Sequence, residues 1–145
     1  MIVKKNIDCI GCGLCEIICP QNTLKIKMSS DGFYQSYQVK DNCTECTLCE
    51  KVCPSYGIDI FNKPRSTYSA YSKNSDTRGS CSSGGLAHEI GLLLLNKGYK
   101  VCGVTYTADK EAAEHIVCTN AKDLERIKGS KYIQSYTVGV FNELF

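Results

Sequence analysis

The chain has 145 residues with 17 basic and 15 acidic side chains, enough for one ordinary domain or two small ones. This charge balance excludes the strongly basic surface typical of nucleic-acid-binding proteins. The longest aliphatic run, residues 92–95, is much shorter than the roughly 20 apolar residues of a membrane span. Because residues 1–8 contain no apolar core of a signal peptide, we expect a cytoplasmic protein without a membrane span.

Cysteine is unusually frequent, with eleven residues in the chain, and could serve in disulfides, metal sites or small buried positions. In a reducing compartment thiols stay free, so dense and regularly spaced cysteines there favour metal binding over disulfides. Structural zinc sites use pairs of cysteines rather than runs of four followed by proline. The composition therefore favours a metal-cluster protein.

An internal duplication organises the first part of the chain. Residues 9–20 and 43–54 share seven of twelve positions, including all four cysteines and the proline, which identifies a repeat. Each copy has the spacing C-x-x-C-x-x-C-x-x-x-C-P, with which bacterial ferredoxins bind 4Fe-4S clusters. We therefore predict two 4Fe-4S clusters and the transfer of single electrons.

The ligands of the two clusters follow from this spacing, because in two-cluster ferredoxins the fourth cysteine of each run ligates the other cluster. The predicted ligands of the first cluster are Cys9, Cys12, Cys15 and Cys53. Those of the second cluster are Cys43, Cys46, Cys49 and Cys19. Gly11 and Gly13 let backbone amides approach the first cluster, whereas the second loop has Glu45 and Thr47 there. This difference predicts two unequal reduction potentials.

The region between and after the repeats predicts a small α+β unit. A β-hairpin is expected over residues 23–28 and 33–39, with its turn at 29–32. A short strand at 58–61 would close the unit, and residues 62–66 have the composition of a boundary. We therefore predict a ferredoxin-like domain at residues 1–63 and a second domain at 64–145.

The second domain is predicted to be α/β or α+β from its apolar periodicity. Its expected elements are a strand at 68–71, a polar stretch at 72–85, a helix from 86 to Gly98, strands at 101–107 and 115–119, a short helix ending near Gly129 and the start of a helix at 138.

Two motifs in this second domain point to a family. Ser82-Ser83-Gly84-Gly85 opens the predicted helix, and the sequence KGSKYIQS follows at residues 128–135. In this order, behind a doubled ferredoxin motif, they resemble the coenzyme F-420 (deazaflavin) hydrogenase/dehydrogenase beta-subunit family over essentially the whole chain. The resemblance implies a two-cluster domain followed by a flavin-type domain that is truncated at Phe145.

The resemblance also implies a function, namely iron–sulfur electron transfer as the input of a flavin-dependent oxidoreductase. FAD in the full-length protein would exchange single electrons for a hydride on a deazaflavin or another small acceptor, and a redox partner protein or subunit is expected. The implied cofactor-binding residues are Ser82, Ser83, Gly84, Gly85 and Lys131. The free amides of a helix N-terminus suit a cofactor phosphate. Alternatively, Ser83 is an ordinary N-cap and Lys131 a solvated lysine.

A second class of function stays open on the sequence alone. The chain could be a stand-alone electron carrier or docking module without a catalytic site. Cys81, Cys102 and Cys118 have no metal spacing; the last two are expected as small buried residues in strands. His88 is expected as a partly exposed helix residue and His115 as a strand residue, neither with a catalytic partner.

Overall fold

The computed structural model describes residues 9–56 and 63–144. The chain divides into two compact units, the first formed by Met1–Phe61 together with Tyr136–Phe145 and the second by Asn62–Ser135. Short helices and antiparallel strands in both units confirm the predicted α+β class. The strand predicted at 58–61 lies outside the described residues. No helix in the described part of the chain has the length and apolar character needed to span a membrane.

The first unit contains the predicted hairpin, formed by β1 (Leu24–Met28) and β2 (Tyr34–Gln38). The strands pair in antiparallel register from Leu24 opposite Gln38 to Met28 opposite Tyr34. Leu24 and Ile26 are buried, because alternate residues of a strand point to the same face. At the turn, Gly32 takes a left-handed φ of 80°. The apolar side of this hairpin lies against the cysteine loops.

Two short helices, α1 (Leu14–Ile18) and α2 (Leu48–Lys51), begin at equivalent positions of the two cysteine repeats. They have five and four residues, too few for the apolar periodicity that identifies a helix in a sequence. The duplication seen in the cysteines therefore extends to the local backbone.

A buried carboxylate joins α1 to β1. Glu16 is 8% exposed, and its two carboxylate oxygens accept from the Lys25 ammonium and from the Ile26 backbone amide, both at 2.7 Å. The hydrogen bond from Lys25 to Glu16 raises the pKa of the lysine. Because the carboxylate is fully engaged, it holds the first cysteine loop against the hairpin.

The second unit follows most of the predicted order. Its elements are α3 (Ser75–Ser80), α4 (Leu86–Asn96), β3 (Val101–Thr107), β4 (Ala112–Cys118) and α5 (Ala121–Arg126). The helix predicted before Gly98, the strand at 101–107 and the short helix before Gly129 are confirmed. The strand β4 pairs antiparallel with β3 and begins three residues before the predicted start at 115.

The strand predicted at 68–71 is wrong. These residues lie outside any strand, and Tyr68 and Tyr71 are 86% and 65% exposed. Tyrosine favours strands only where it packs on a neighbouring strand, and these two lack such burial. The helix α3 was not predicted, although Asn74 caps it by accepting from the amides of Asp76 and Thr77. The Asn-Ser-Asp sequence was the signal for that cap.

The core of the second unit is small and depends on close approach to glycine. Leu124 of α5 is 1% exposed, and a Cβ built on Gly91 of α4 would lie 2.8 Å from its Cδ1 atom. A Cβ on Gly103 of β3 would similarly overlap Ile127 Cδ1. Glycine at these two positions therefore lets α5 pack directly on the helix and the sheet.

The last described elements are β5 (Ser135–Tyr136) and α6 (Val138–Leu144). The sheet order is β3-β4-β5, with the two-residue β5 at the edge. The helix α6 starts at the predicted residue and packs against α1 within the first unit. Val138 and Val140 of α6 are buried, with 3% and 4% exposure.

Candidate functional site

The two cysteine loops share an unusual backbone. Gly11 and Gly13 have φ values of 68° and 82°, and the equivalent Glu45 and Thr47 have 52° and 60°. A non-glycine residue in this left-handed region costs roughly 1–2 kcal/mol, so the second loop keeps its shape against a local penalty. Left-handed residues that alternate with right-handed ones turn successive N–H groups toward a concave side, as in many iron–sulfur sites.

The predicted ligands of the first cluster come together in the structure. Cys9, Cys12, Cys15 and Cys53, the first cysteine set, all line one cavity, the first thiol cavity, of about 20 Å³. Ile10, Ile26 and Gly13 are also among its walls. Because this cavity is small, its volume does not support a cluster here. The support comes from the four thiols and the backbone of the loop.

The predicted ligands of the second cluster also meet. Cys43, Cys46, Cys49 and Cys19, the second cysteine set, line a larger cavity of about 220 Å³, the second thiol cavity. Cys19 lies in the first repeat, so it reaches the loop of the other repeat as crossed ligation requires. Leu24, Pro20 and Leu48 supply apolar walls.

The two thiol cavities are neighbours, because Cys49 lines both. Each cavity is lined by four thiols, which matches the one thiolate on each iron that a four-iron cube needs. Within residues 9–56 and 63–144, no three His, Cys, Asp or Glu side chains are gathered around a single-ion position. The donor sets therefore fit two adjacent clusters.

Hydrogen bonds distinguish the sulfur atoms of the two sets. Thr23, which is 2% exposed, places its hydroxyl 3.1 Å and its amide 3.4 Å from Cys19 Sγ. Burial alone would raise the pKa of Cys19, but the hydrogen bonds from Thr23 and nearby backbone amides outweigh it and lower the pKa. Burial raises the pKa of Cys15, although its thiol contacts Ser36 Oγ at 3.2 Å. The environment of Cys19 therefore stabilises a negatively charged sulfur better than the environment of Cys15 does.

In the second unit, the two family motifs meet at another cavity. Ser130 donates its backbone amide to Ser82 Oγ at 2.7 Å, and Lys128 donates to Ser80 Oγ at 3.2 Å. The cavity, here called the serine-lined cavity, has a volume of about 310 Å³. Its walls include Cys81, Ser82, Ser83, Gly85, His88, Cys102, Lys128, Gly129 and Ser130.

The glycine pair at the start of α4 has a steric reason. Gly84 and Gly85 have φ values of 60° and 77°, and a Cβ on Gly85 would lie 3.0 Å from Thr77 Cγ2. Gly85 is the N-cap of α4, and the helix start has no side-chain cap. The alternative that Ser83 is an ordinary N-cap is therefore wrong, because Gly85 occupies that position and makes no side-chain cap.

The predicted lysine faces elsewhere. Lys131 donates its ammonium to the carbonyls of Lys128 and Gly129 at 2.6 and 3.0 Å, and burial lowers its pKa. It is not among the residues that line the serine-lined cavity, whereas Lys128 is. Gly84 is also not among the lining residues, and its left-handed φ sets the turn before α4. Lys128, in the same motif, lines the cavity instead, and its ammonium pairs with the Glu125 carboxylate at 2.7 Å.

His88 is a further residue of this cavity, and its expected partial exposure is wrong. Its side chain is 7% exposed, with Nε2 at 3.3 Å from a carboxylate oxygen of Glu125. Because a carboxylate only accepts, Nε2 carries the proton in this contact. Nδ1 is buried without a hydrogen-bond partner among the described residues. Its place on the buried face of α4, three residues before Gly91, was the signal in the sequence.

The remaining cysteines differ in burial. Cys118 is fully buried, as expected for a small apolar residue in a strand, and burial raises its pKa. Cys102 is exposed, contrary to expectation, and lines the serine-lined cavity with Cys81. His115 lies in β4 as predicted, with Nδ1 at 3.1 Å from Ser135 Oγ.

Comparisons with known proteins agree with these two units. Residues 8–58 match the family described as 4Fe-4S dicluster domain. Residues 67–142 match the family described as coenzyme F420 hydrogenase/dehydrogenase, beta subunit N-term. A curated relative, a subunit of the F(420)H(2) dehydrogenase of Methanosarcina mazei, is 27% identical over 148 residues. That alignment covers 94% of this chain and 42% of the relative.

The second family match extends over more than half of the chain and includes the residues that line the serine-lined cavity and the first five residues of α6. Together, the two matches show an iron–sulfur electron-transfer module that precedes the beta-subunit region in the sequence. The chain belongs to the coenzyme F420 hydrogenase/dehydrogenase beta-subunit family, of which it carries the N-terminal part.

Proposed function

We propose that the first unit holds two 4Fe-4S clusters by crossed ligation, with the first and second cysteine sets as their ligands. The observation that supports this most strongly is that each set of four thiols lines one cavity. Cys49 lines both cavities, so the clusters would lie next to each other and could exchange single electrons. The domain assignment at residues 1–63 and 64–145 is part of the same proposal.

We further propose that the second unit contributes to a flavin site in the full-length protein. The support is the meeting of Ser82–Gly85 with Lys128–Ser130 around the serine-lined cavity. The uncapped start of α4 and the Lys128 ammonium suit the phosphates of FAD. A bound flavin would supply the conversion between single electrons and a hydride.

For the wider reaction, the relative's name offers a direction. The relative is one subunit of an F(420)H(2) dehydrogenase, and this chain spans 42% of its length. We propose that the complete protein exchanges electrons between the deazaflavin coenzyme F420 and a partner protein through the clusters. The chain's own residues would bind and orient the cofactors in this scheme.

A second candidate is an electron carrier or docking module without its own flavin. It is favoured by the position of Lys131, which engages backbone carbonyls instead of the cavity. In this case the serine-lined cavity would have only a structural role.

Anaerobic reconstitution of the full-length protein, followed by iron analysis and acid release of flavin, distinguishes the two candidates. The flavin proposal expects about eight irons per chain together with FAD bound after incubation and desalting. About eight irons without any retained FAD would contradict the flavin proposal and support the carrier.

A pair of lysine variants then tests the cavity. Lys128→Ala should weaken FAD binding about tenfold, because a charge-assisted contact to phosphate is lost. Lys122→Ala, on the exposed side of α5 and outside the cavity walls, is the matched control and should bind FAD normally. Equal affinities of both variants, measured by flavin fluorescence, would exclude the proposed phosphate site.

A further inference from the structure

The chain segment that ends in α6 lies against the first cysteine loop. Most of this segment, Tyr136–Leu144, falls within the family match, which ends at residue 142, yet the segment packs in the first unit. Val138 and Val140 are nearly fully buried there, and the Tyr136 ring lies 5.5 Å from that of Tyr34 in β2. The segment is thus anchored to both the hairpin and α1.

Two residues of the segment contact the loop at one peptide bond. Thr137 Oγ1 donates to the carbonyl oxygen of Cys12 at 2.8 Å. A Cβ built on Gly13 would lie 2.8 Å from Val138 Cγ2 and 3.0 Å from Thr137 Oγ1. The hydroxyl and the valine therefore close over the Cys12–Gly13 peptide with no room for a side chain.

The orientation of that peptide matters for the cluster. A trans peptide is planar, so the Gly13 N–H points opposite to the Cys12 carbonyl that Thr137 holds. Gly13 lines the first thiol cavity, whereas Thr137 is not among its walls. Thr137 thus holds the outer side of the loop and keeps the amide directed to the inner side, where amide hydrogen bonds to sulfur set cluster potentials.

The second loop has different chemistry at the equivalent peptide, Cys46–Thr47. Thr47 carries a β-branched side chain where Gly13 has none, and both are left-handed. A helix could not approach this peptide as closely as α6 approaches Gly13. The two loops thus share a backbone but differ in what covers it.

We propose that Thr137 and Val138 are positioning residues for the first cluster, which fix the Cys12–Gly13 peptide and so control the potential and iron retention of that cluster. This inference rests on the proposed crossed ligation. In this proposal the segment Tyr136–Leu144 acts directly on the structure of the first cysteine loop.

The test is Thr137→Val in the full chain after anaerobic reconstitution. Valine keeps the shape of threonine but removes the donor, so the potential of one cluster should shift while that of the other stays unchanged. Iron loss from the first cluster to a chelator should be about tenfold faster, the usual size of such an outer contact. The measurements are an EPR-monitored redox titration and the rate of chelation.

Matched variants separate this role from simple destabilisation of α6. Val140→Ala removes a buried side chain of the same helix that is not among the closest atoms to Gly13, and both potentials should stay unchanged. Thr137→Ser keeps the donor and should retain the wild-type potentials. If the Thr137→Val protein does not load iron, the Thr137→Ser protein decides. Normal iron loading of Thr137→Ser supports the inference, and failure of Thr137→Ser to load iron overturns it.

Unchanged potentials and chelation in a loaded Thr137→Val protein would overturn the inference. Equal shifts in Thr137→Val and Val140→Ala would do the same. The unmodified chain tests the proposed ligation separately, because its iron content does not depend on the result for Thr137.

Discussion

Cys19 is the residue on which crossed ligation depends. It belongs to the first repeat, yet it lines the second thiol cavity with the three cysteines of the other loop. Thr23 hydrogen-bonds its sulfur and lowers the cost of negative charge there. These contacts make the cysteine before Pro20 a link between the two halves of the repeat.

Replacement of Cys19 tests this link. Cys19→Ser should reduce the iron content from about eight to about four per chain, and the cluster of the distant loop should be the one that is lost. Cys102→Ser, at an exposed cysteine outside both cysteine sets, should retain full iron. Iron analysis with EPR checks both; loss of the cluster at Cys9, Cys12 and Cys15 instead would show that ligation is not crossed.

The Thr23 hydroxyl gives a second prediction. A thiolate sulfur has no proton, so in a loaded protein Thr23 must be the donor to Cys19. Thr23→Val removes this stabilisation of negative charge and should lower the reduction potential of the second cluster. Redox titration measures the change, with Thr119→Val in the second unit as a control. A raised potential would contradict the assigned direction.

Among the elements, those with long periodic patterns were predictable and the short ones were not. The apolar spacing in α4 identifies its first residue and places its end within two residues, and the β-prone run of β3 identifies both ends. The helices α1 and α2 are set by left-handed residues before them, and α3 by the Asn74 cap. The run at 68–71 has strand composition but no neighbouring strand, which composition alone does not reveal.

Two helical glycines give contrasting predictions of stability. Gly91→Ala places a methyl group 2.8 Å from Leu124 Cδ1, so overpacking of about 1–3 kcal/mol should exceed the gain in helix propensity. Gly139→Ala in α6 has nothing within 4 Å and should stabilise the protein by up to about 1 kcal/mol. Urea unfolding measures both. Stabilisation by Gly91→Ala would show that α4 and α5 pack less closely than described.

At the scale of the molecule, the spacing of the cysteines is enough to predict which four thiols line each thiol cavity, whereas their crossed ligation of two clusters stays a prediction. The serine-lined cavity required the structure, since its two motifs are separated by more than 40 residues. Lys131 stays the cation predicted from the sequence, and the structure adds Lys128, which lines the cavity beside the turn at Gly129. The return of Tyr136–Leu144 to the first unit depends on tertiary contacts that no local pattern contains.

The central claim is that this chain holds two adjacent 4Fe-4S clusters that carry single electrons. A reductive titration of the anaerobically reconstituted chain, followed by EPR with iron and sulfide analysis, tests it most directly. We expect about eight irons per chain and two one-electron steps, with magnetic interaction between the reduced clusters because Cys49 lines both cavities. Fewer than about four irons in a folded chain, or a single reducible centre, would contradict the claim.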